Sequence, residues 1–120
     1  MATYTGPRTS GGVLISRLIN TASDNATVVK ASPGQIYGWY LFNASTATRY
    51  FKLYNKATTP LSSDTPLLTI SIPAGAAANV FLEHGIACSN GIGFRIVTGM
   101  ADSDATSPSA NQVVVNLMYY

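Results

Sequence analysis

Short runs of β-branched and aromatic residues, separated by clusters of turn-forming residues, restrict the fold of this chain more than any other feature. The intervening segments are rich in Gly, Pro, Ser, Asn and Asp, each of which favours turns. No segment shows the 3.6-residue apolar period of a long amphipathic helix. The pattern therefore predicts an all-β domain. The runs occupy residues 12–19, 26–31, 35–43, 49–55, 66–72, 78–83, 92–98 and 112–120.

About eight short strands without an internal repeat favour a two-sheet antiparallel β-sandwich, of jelly-roll or other Greek-key type. A chain of 120 residues is the size of one ordinary domain and can bury a sizeable core without a disulfide or a metal. We expect a flexible N-terminal arm at residues 1–11 and a single sandwich domain at residues 12–120.

The composition is poor in charge, with 10% charged and 47% hydrophobic residues. That apolar content argues against disorder, and an uncharged surface is suited to packing against neighbours. The net charge is +2, and the basic residues are scattered, whereas nucleic-acid binding requires a clustered basic stripe. No segment has the roughly 18 apolar residues of a membrane span. We expect neither nucleic acid nor membrane as a partner.

The stretch GWYLFNASTATRYFKLYNK, residues 38–56, is dense in aromatic residues. If residues 49–55 fold back on residues 35–43, pairing Asn43 with Arg49 favours a hairpin with one apolar face. The other face would place Tyr54 over the bare Gly38, an aromatic rescue. The predicted core face consists of Trp39, Leu41, Phe51 and Leu53.

The second face of this hairpin is the candidate site. Three interpretations of it remain open: a loop or the N-terminal arm covers it, another protein binds it, or its tyrosines bind carbohydrate. Tyrosine combines an apolar ring with a polar tip, which suits interfaces. The predicted partner interface comprises Tyr40, Phe42, Tyr50, Lys52 and Tyr54.

The last run also points to assembly. In QVVVNLMYY, alternate residues on both faces are mostly apolar, so we expect this strand to be covered on both sides. The opposite sheet would cover one side. A long loop or another subunit would cover the other.

Catalytic chemistry has few candidate residues. His84 and Cys88 could form a nucleophilic pair, but no third group orients the histidine, and a surface His with a buried Cys is the simpler interpretation. Asp102 and Asp104 could hold Ca²⁺, although they lack the further ligands of a calcium loop. We predict no enzyme, no catalytic residues, no cofactor and no metal site.

Four segments resemble small structural proteins of tailed bacteriophages and prophages: GWYLFNASTATRYFKLYNKATTP, DTPLLTISIPAGAAANV, GIACSNGIGFRIVTGMADSDAT and NQVVVNLMYY. The resemblance extends from about Gly34 to the C-terminus. It implies a virion component, such as a capsid decoration (cement) protein or a tail or fibre part, and it carries over no catalytic residue.

The leading hypothesis is therefore a decoration protein on the capsid surface of a virion, made in the bacterial host cytoplasm. It would bind the major capsid protein and form a homo-oligomer, with a trimer favoured. The alternative is a tail or fibre component that acts as a receptor- or carbohydrate-binding module through Tyr40, Tyr50 and Tyr54.

Overall fold

The computed structural model describes residues 2–4 and 12–120, and within these it contains strands and no helix. The described residues form nine strands. They are β1 Ala2–Tyr4, β2 Leu14–Ile19, β3 Thr27–Lys30, β4 Gly34–Asn43, β5 Arg49–Tyr54, β6 Leu68–Ile72, β7 Ala76–Cys88, β8 Ile92–Val97 and β9 Val113–Tyr119.

The strands form two antiparallel sheets. Sheet 1 has the order β1-β2-β9-β4-β7, and sheet 2 has the order β3-β8-β5-β6. Across the two sheets β2 pairs with β9, β3 with β8, β4 with β7, and β5 with β6. This nesting corresponds to one long hairpin rolled across both sheets, which is the jelly-roll arrangement. The predicted two-sheet sandwich is confirmed, and its topology is the jelly roll.

Each of the eight predicted runs overlaps a strand, and two regions depart most from expectation. β7 continues to Cys88, through His84 and Gly85, where a loop was predicted. The described part of the predicted arm, Ala2–Tyr4, forms β1 at the edge of sheet 1. The other residues of the predicted arm, 1 and 5–11, lie outside the described residues. The flexibility predicted for them therefore stays a prediction.

The core lies between the two sheets and contains the predicted apolar set. Trp39 and Leu41 enter it from sheet 1, and Phe51 and Leu53 enter it from sheet 2. Phe51 packs against Phe94 with a ring-centroid separation of 5.1 Å. The core prediction for these four residues is confirmed, although they meet across the sandwich and not along one hairpin.

The predicted hairpin of β4 and β5 is wrong, because the two strands lie in different sheets. The short segment between them forms a corner built on Asn43, which is fully buried. Its amide nitrogen donates to the carbonyl oxygens of Ala47 (2.8 Å) and Ile72 (2.9 Å), and its Oδ1 accepts from Ser45 N (2.9 Å). One side chain at the end of β4 thus satisfies backbone groups of the connection 44–48 and of the end of β6 in sheet 2, which directs the chain across the sandwich. Arg49 accordingly pairs with Ile72 and not with Asn43.

The predicted contact between Gly38 and Tyr54 is also wrong. Gly38 lies at a bulge of β4 between β7 and β9, with a φ of 150°. A Cβ at this position would lie 2.3 Å from the carbonyl oxygen of Val80 and 2.8 Å from Met118 Cε. The bulge therefore requires glycine because of backbone conformation and close approach.

The last strand, β9, is central in sheet 1, between β2 and β4. Its inward residues Val113, Val115, Leu117 and Tyr119 are buried in the core. Its outward residues are buried or half-buried by their neighbours on the sheet. Among the described residues no helix is long and apolar enough to cross a membrane.

Candidate protein interface

The five residues predicted as an interface lie on opposite surfaces of the sandwich. Tyr40 and Phe42 project from β4 on the outer surface of sheet 1, where both are exposed. Tyr50, Lys52 and Tyr54 project from β5 on the outer surface of sheet 2, where Tyr50 is half-buried and the other two are buried. The hairpin that would have joined the five residues does not form, so they do not share one surface.

Lys52 is fully buried beneath the loop 98–112. Its Nζ donates a hydrogen bond to the carbonyl oxygen of Ala101. Burial lowers the pKa of Lys52, and the nearby carboxylates of Asp104 and Asp102 act in the opposite direction. Lys52 therefore fastens a loop of its own chain and does not present its charge to a partner.

Tyr54 is covered by the loop 55–67. It pairs with Gly93 on β8, and Pro60 of this loop lies over that glycine, since an added Cβ would come within 2.8 Å of Pro60 Cγ. Burial raises the pKa of Tyr54, and its hydroxyl has no hydrogen-bond partner among the described residues. Of the three interpretations of the second face, coverage by a loop applies to this part of β5.

The outer surface of sheet 1 carries side chains in three rows, because residues paired across antiparallel strands point to the same side. Two rows are apolar, and the row between them is polar. In the strand order β2, β9, β4, β7, the rows are Ile15–Met118–Gly38–Phe81, Arg17–Asn116–Tyr40–Asn79 and Ile19–Val114–Phe42–Ala77. We call these residues the open face.

Large apolar and aromatic side chains of the open face are exposed to solvent. Arg17 alone among its residues carries a charge. Contiguous exposed apolar surface on a soluble protein marks an interaction site more often than isolated exposed residues do. The exposed fractions are 37% for Ile15, 41% for Ile19, 52% for Tyr40, 43% for Phe42 and 60% for Phe81.

The amides of the middle row are held against the backbone of β4. Asn116 Nδ2 donates to the carbonyl oxygen of Tyr40 (3.2 Å), and Asn79 Oδ1 accepts from Leu41 N (3.1 Å). These bonds leave part of each amide's hydrogen-bonding capacity unused. The row therefore presents one tyrosine ring between two amides.

A groove of about 230 Å³ opens at one end of the open face. Ile19, Phe42 and Val114 form its floor on the sheet, and Ala44 with residues 111–113 forms the remaining wall. Interfaces often bind through an apolar side chain that fills such a depression. The groove gives the open face a position at which a partner side chain could be anchored.

Sequence reasoning identified part of the open face, namely Tyr40 and Phe42 as interface residues and the second face of the last strand as a surface covered by a loop or another subunit. Ile15, Ile19 and Phe81 were assigned to strands, but the side of the sheet to which they point was not predicted. Alternation within β2 would have placed Ile15 and Ile19 on one side, but only the strand pairing brings Ile19 into the row of Phe42 and Ile15 into the row of Phe81.

The residues considered for catalysis do not form a site. His84 is exposed on β7, and Cys88 is buried at the end of the same strand, where burial raises the pKa of its thiol. Asp104 Oδ1 accepts from Thr106 N (2.9 Å) within the loop that covers Lys52. Among residues 2–4 and 12–120 no group of three or more His, Cys, Asp or Glu side chains is placed to hold a metal ion.

The chain matches no protein-family model and no curated protein. A solved structure similar to it is that of the coat protein of Tobacco streak virus, at a TM-score of 0.36 and 7% sequence identity. That similarity covers 94% of this chain and 90% of the coat protein. It assigns the chain to no family.

Proposed function

We propose that this chain is a structural protein of a bacteriophage virion, and specifically a capsid decoration protein that binds the shell of the major capsid protein through the open face. The observation that carries the proposal is the exposure of Ile15, Ile19, Phe42 and Phe81 on one sheet surface. Burying such a surface against a partner is favourable in proportion to the apolar area removed from water. The proposed role is structural and not enzymatic.

Two further features support a virion role. The sequence resembles structural proteins of tailed phages from about Gly34 onward, and viral capsid domains often use the jelly roll. Lectins and cupins use the same fold, so the topology supports the proposal without deciding it.

Decoration stabilises a shell because bound copies favour the assembled state over free subunits. Many copies on one particle, each a homo-oligomer, would add their contacts through multivalency. A single charge, Arg17, on the open face is suited to a mainly apolar contact with one acidic or hydrogen-bonding group on the capsid.

Copy number tests the proposed role directly. Virions that contain this chain should yield it by quantitative mass spectrometry in numbers comparable to the major capsid protein, and a cryo-EM map should place it on the outer shell. A handful of copies per particle, or none, would show that it is not a decoration protein.

A binding assay tests the surface. Capsids lacking the chain should bind purified wild-type protein, and Phe42→Ser should weaken this binding by about tenfold or more, because a central aromatic contact is lost. Leu61→Ser is the matched control, since Leu61 is 53% exposed and lies on the loop over sheet 2. Equal effects of the two substitutions would remove the open face from the proposal.

A carbohydrate-binding module of a tail or fibre is the second candidate. The tyrosine trio proposed for it is divided, but Tyr40 lies between Asn79 and Asn116, an aromatic ring beside two amides. A glycan array should then show binding that Tyr40→Ala abolishes and Tyr50→Ala retains. Binding that is insensitive to Tyr40→Ala would exclude this site.

A further inference from the structure

β7 forms one edge of sheet 1, and no described strand pairs with its outer side. Unpaired edge strands expose backbone donors and acceptors, and natural proteins usually protect them with charges, prolines or bulges. The first half of β7, Ala76–Phe81, has the sequence AAANVF and contains none of these residues. This half of the edge is open to another strand.

The direction of the backbone groups of β7 follows from its neighbour β4. Ala44 N donates to Gln112 O beyond the end of β9, whereas Leu41 N bonds to Asn79 Oδ1 on β7. Backbone groups point to alternate sides along a strand, so the odd-numbered residues of β4 that follow the bulge at Gly38 face β7. Leu41 pairs with Ala78, so Ala78 faces β4. It follows that Ala77, Asn79 and Phe81 direct their N–H and C=O groups outward.

This outward-facing segment has defined ends. Pro73 and Gly75 form the turn before it, and the residues from Leu82 to Gly85 bulge out against a single residue of β4 after it. No charged residue lies between Asp64 and Glu83, a stretch that includes β6, the adjacent edge of sheet 2. A pairing strand therefore has about six residues available, and it encounters no charge along them.

We propose that this edge pairs with the same edge of a second copy of the chain, as an antiparallel β7–β7 contact about a two-fold axis at Asn79. A two-fold axis perpendicular to the sheet leaves the outer surfaces of both copies on the same side. Residues paired across the contact must therefore point to the same side of the sheet. In this register Ala77 is opposite the partner's Phe81 and Asn79 is opposite the partner's Asn79. All three resulting pairs join residues whose backbone groups point outward, which gives six inter-chain hydrogen bonds.

The side chains favour a second copy over another partner. The large Phe81, the most exposed aromatic residue of the open face, meets the small Ala77 on the same surface, so a large side chain faces a small one and the pair does not clash. An uncharged strand pairs with itself without like-charge repulsion, and it offers an acidic or basic foreign strand no complementary charge. The pairing would place two open faces side by side on one continuous sheet.

The proposal differs from the trimer implied by the phage resemblance, because a two-fold contact closes at two copies. It is also independent of the proposed function, since the dimer is measured on the purified chain without capsids. A chain that forms the dimer but does not bind capsids would contradict the proposed decoration function and leave the proposed dimer intact.

Matched proline substitutions test the edge. Gln35 exchanges backbone bonds with Tyr120 toward β9 and pairs with Ala87, so Ala87 directs its backbone groups outward, as Ala77 does. Ala77→Pro removes the backbone N–H of residue 77 from both copies and so removes two inter-chain hydrogen bonds. Ala87→Pro is the control, because it removes an outward N–H from the same edge beyond the bulge and outside the proposed contact. Proline is tolerated at outward-facing edge positions, so both variants should retain the circular dichroism spectrum of the wild type.

Light scattering across a concentration series should give twice the monomer mass for the wild type and for Ala87→Pro. Ala77→Pro should raise the dissociation constant by about tenfold or more, since two hydrogen bonds are lost. A wild type that stays monomeric, a trimer, or equal effects of the two prolines would each overturn the proposal.

Disulfide trapping tests the register. Asn79→Cys should form a disulfide-linked dimer under mild oxidation, because residue 79 lies opposite itself within disulfide range. Ala77→Cys should not, since its symmetry mate lies about 13 Å further along the strand. The native Cys88 is buried and should not interfere. Efficient linkage through residue 77 in place of residue 79 would show that the register is wrong.

Discussion

The outer surfaces of the two sheets differ although their strands are similarly rich in aromatic residues. On sheet 2, Lys52 and Tyr54 are buried under loops of the chain. On sheet 1, Tyr40 and Phe42 occupy equivalent outward positions and are exposed. Strand sequence alone therefore does not determine which aromatic surface is available to a partner.

The lengths of the connections explain the difference. The two longest connections that the structure describes in full, 55–67 and 98–112, begin at strands of sheet 2, namely β5 and β8. The connections 44–48, 73–75 and 89–91 at the ends of β4 and β7 are too short to fold back over sheet 1. Loops of the chain thus cover the outer surface of sheet 2, whereas none of the described connections covers that of sheet 1.

The largest expected effect comes from the same substitution made on each surface. Tyr54→Ala should lower the free energy of unfolding by about 3 kcal/mol, because it removes a fully buried ring and leaves a cavity. Tyr40→Ala should change it by less than about 0.5 kcal/mol, since the ring is largely in solvent. Urea denaturation at pH 7 measures both values, and similar losses for the two variants would abolish the distinction between the surfaces.

A second prediction concerns the contact between the loop 55–67 and sheet 2. Gly93→Ala should destabilise the chain by about 1–2 kcal/mol, because its Cβ would lie 2.8 Å from Pro60 Cγ and 3.1 Å from the carbonyl oxygen of Thr27. Replacing Pro60 by Ala in the same chain should recover part of that loss. A double-mutant cycle with additive effects would show that Pro60 does not cover Gly93.

Alternation within single strands could be predicted from the sequence, and pairing between strands could not. Trp39 and Leu41 on β4, and Phe51 and Leu53 on β5, were assigned to the core from their spacing alone, and all four are buried. The prediction of a β4–β5 hairpin failed because a short connection can either turn back within one sheet or cross to the other sheet. The choice depends on hydrogen bonds of Asn43 to residues distant in sequence, which strand periodicity does not reveal.

The burial of outward residues was equally inaccessible to sequence reasoning. Lys52 resembles a solvent-exposed cation in its local pattern, yet its ammonium group reaches a carbonyl oxygen of a loop far along the chain. Asn20 likewise holds the end of that loop, accepting bonds at 2.8 Å from both Gln112 N and Val113 N. Such contacts depend on where long loops settle, and loop sequences rich in Ser, Thr and Asp do not specify this.

Alkaline pH tests the burial of the phenol of Tyr54. Burial raises the pKa of Tyr54 above 10.0, so the stability linked to its neutral form is present below pH 10 and lost as pH rises through the folded-state pKa. The pKa values of Cys88 and Tyr119 are raised for the same reason and act in the same direction. The lowered pKa of Lys52 acts in the opposite direction below pH 10.5.

Tyr54→Phe should therefore shift the alkaline loss of stability to higher pH. At pH 7 it should leave the free energy of unfolding unchanged or raise it by up to about 1 kcal/mol, because the hydroxyl it removes has no hydrogen-bond partner among the described residues. Urea midpoints measured between pH 7 and pH 11 test this. Tyr40→Phe on the open face is the control, and an identical pH profile for both variants would contradict the burial of the Tyr54 hydroxyl.

The smallest effect is expected at the ion pair within the loop 55–67. Asp64 lies 2.5 Å from Lys56 Nζ and accepts a hydrogen bond from Leu61 N (2.7 Å). The hydrogen bond from Lys56 is the main reason that the pKa of Asp64 is lowered below 3.8, so its contribution is present above that pH and is lost as pH falls through the folded-state pKa. Asp64→Asn should slightly lower the urea midpoint at pH 7 and leave it unchanged near pH 2, because exposed ion pairs contribute little. An equal loss at both pH values would mean that the loss does not arise from the charge of Asp64.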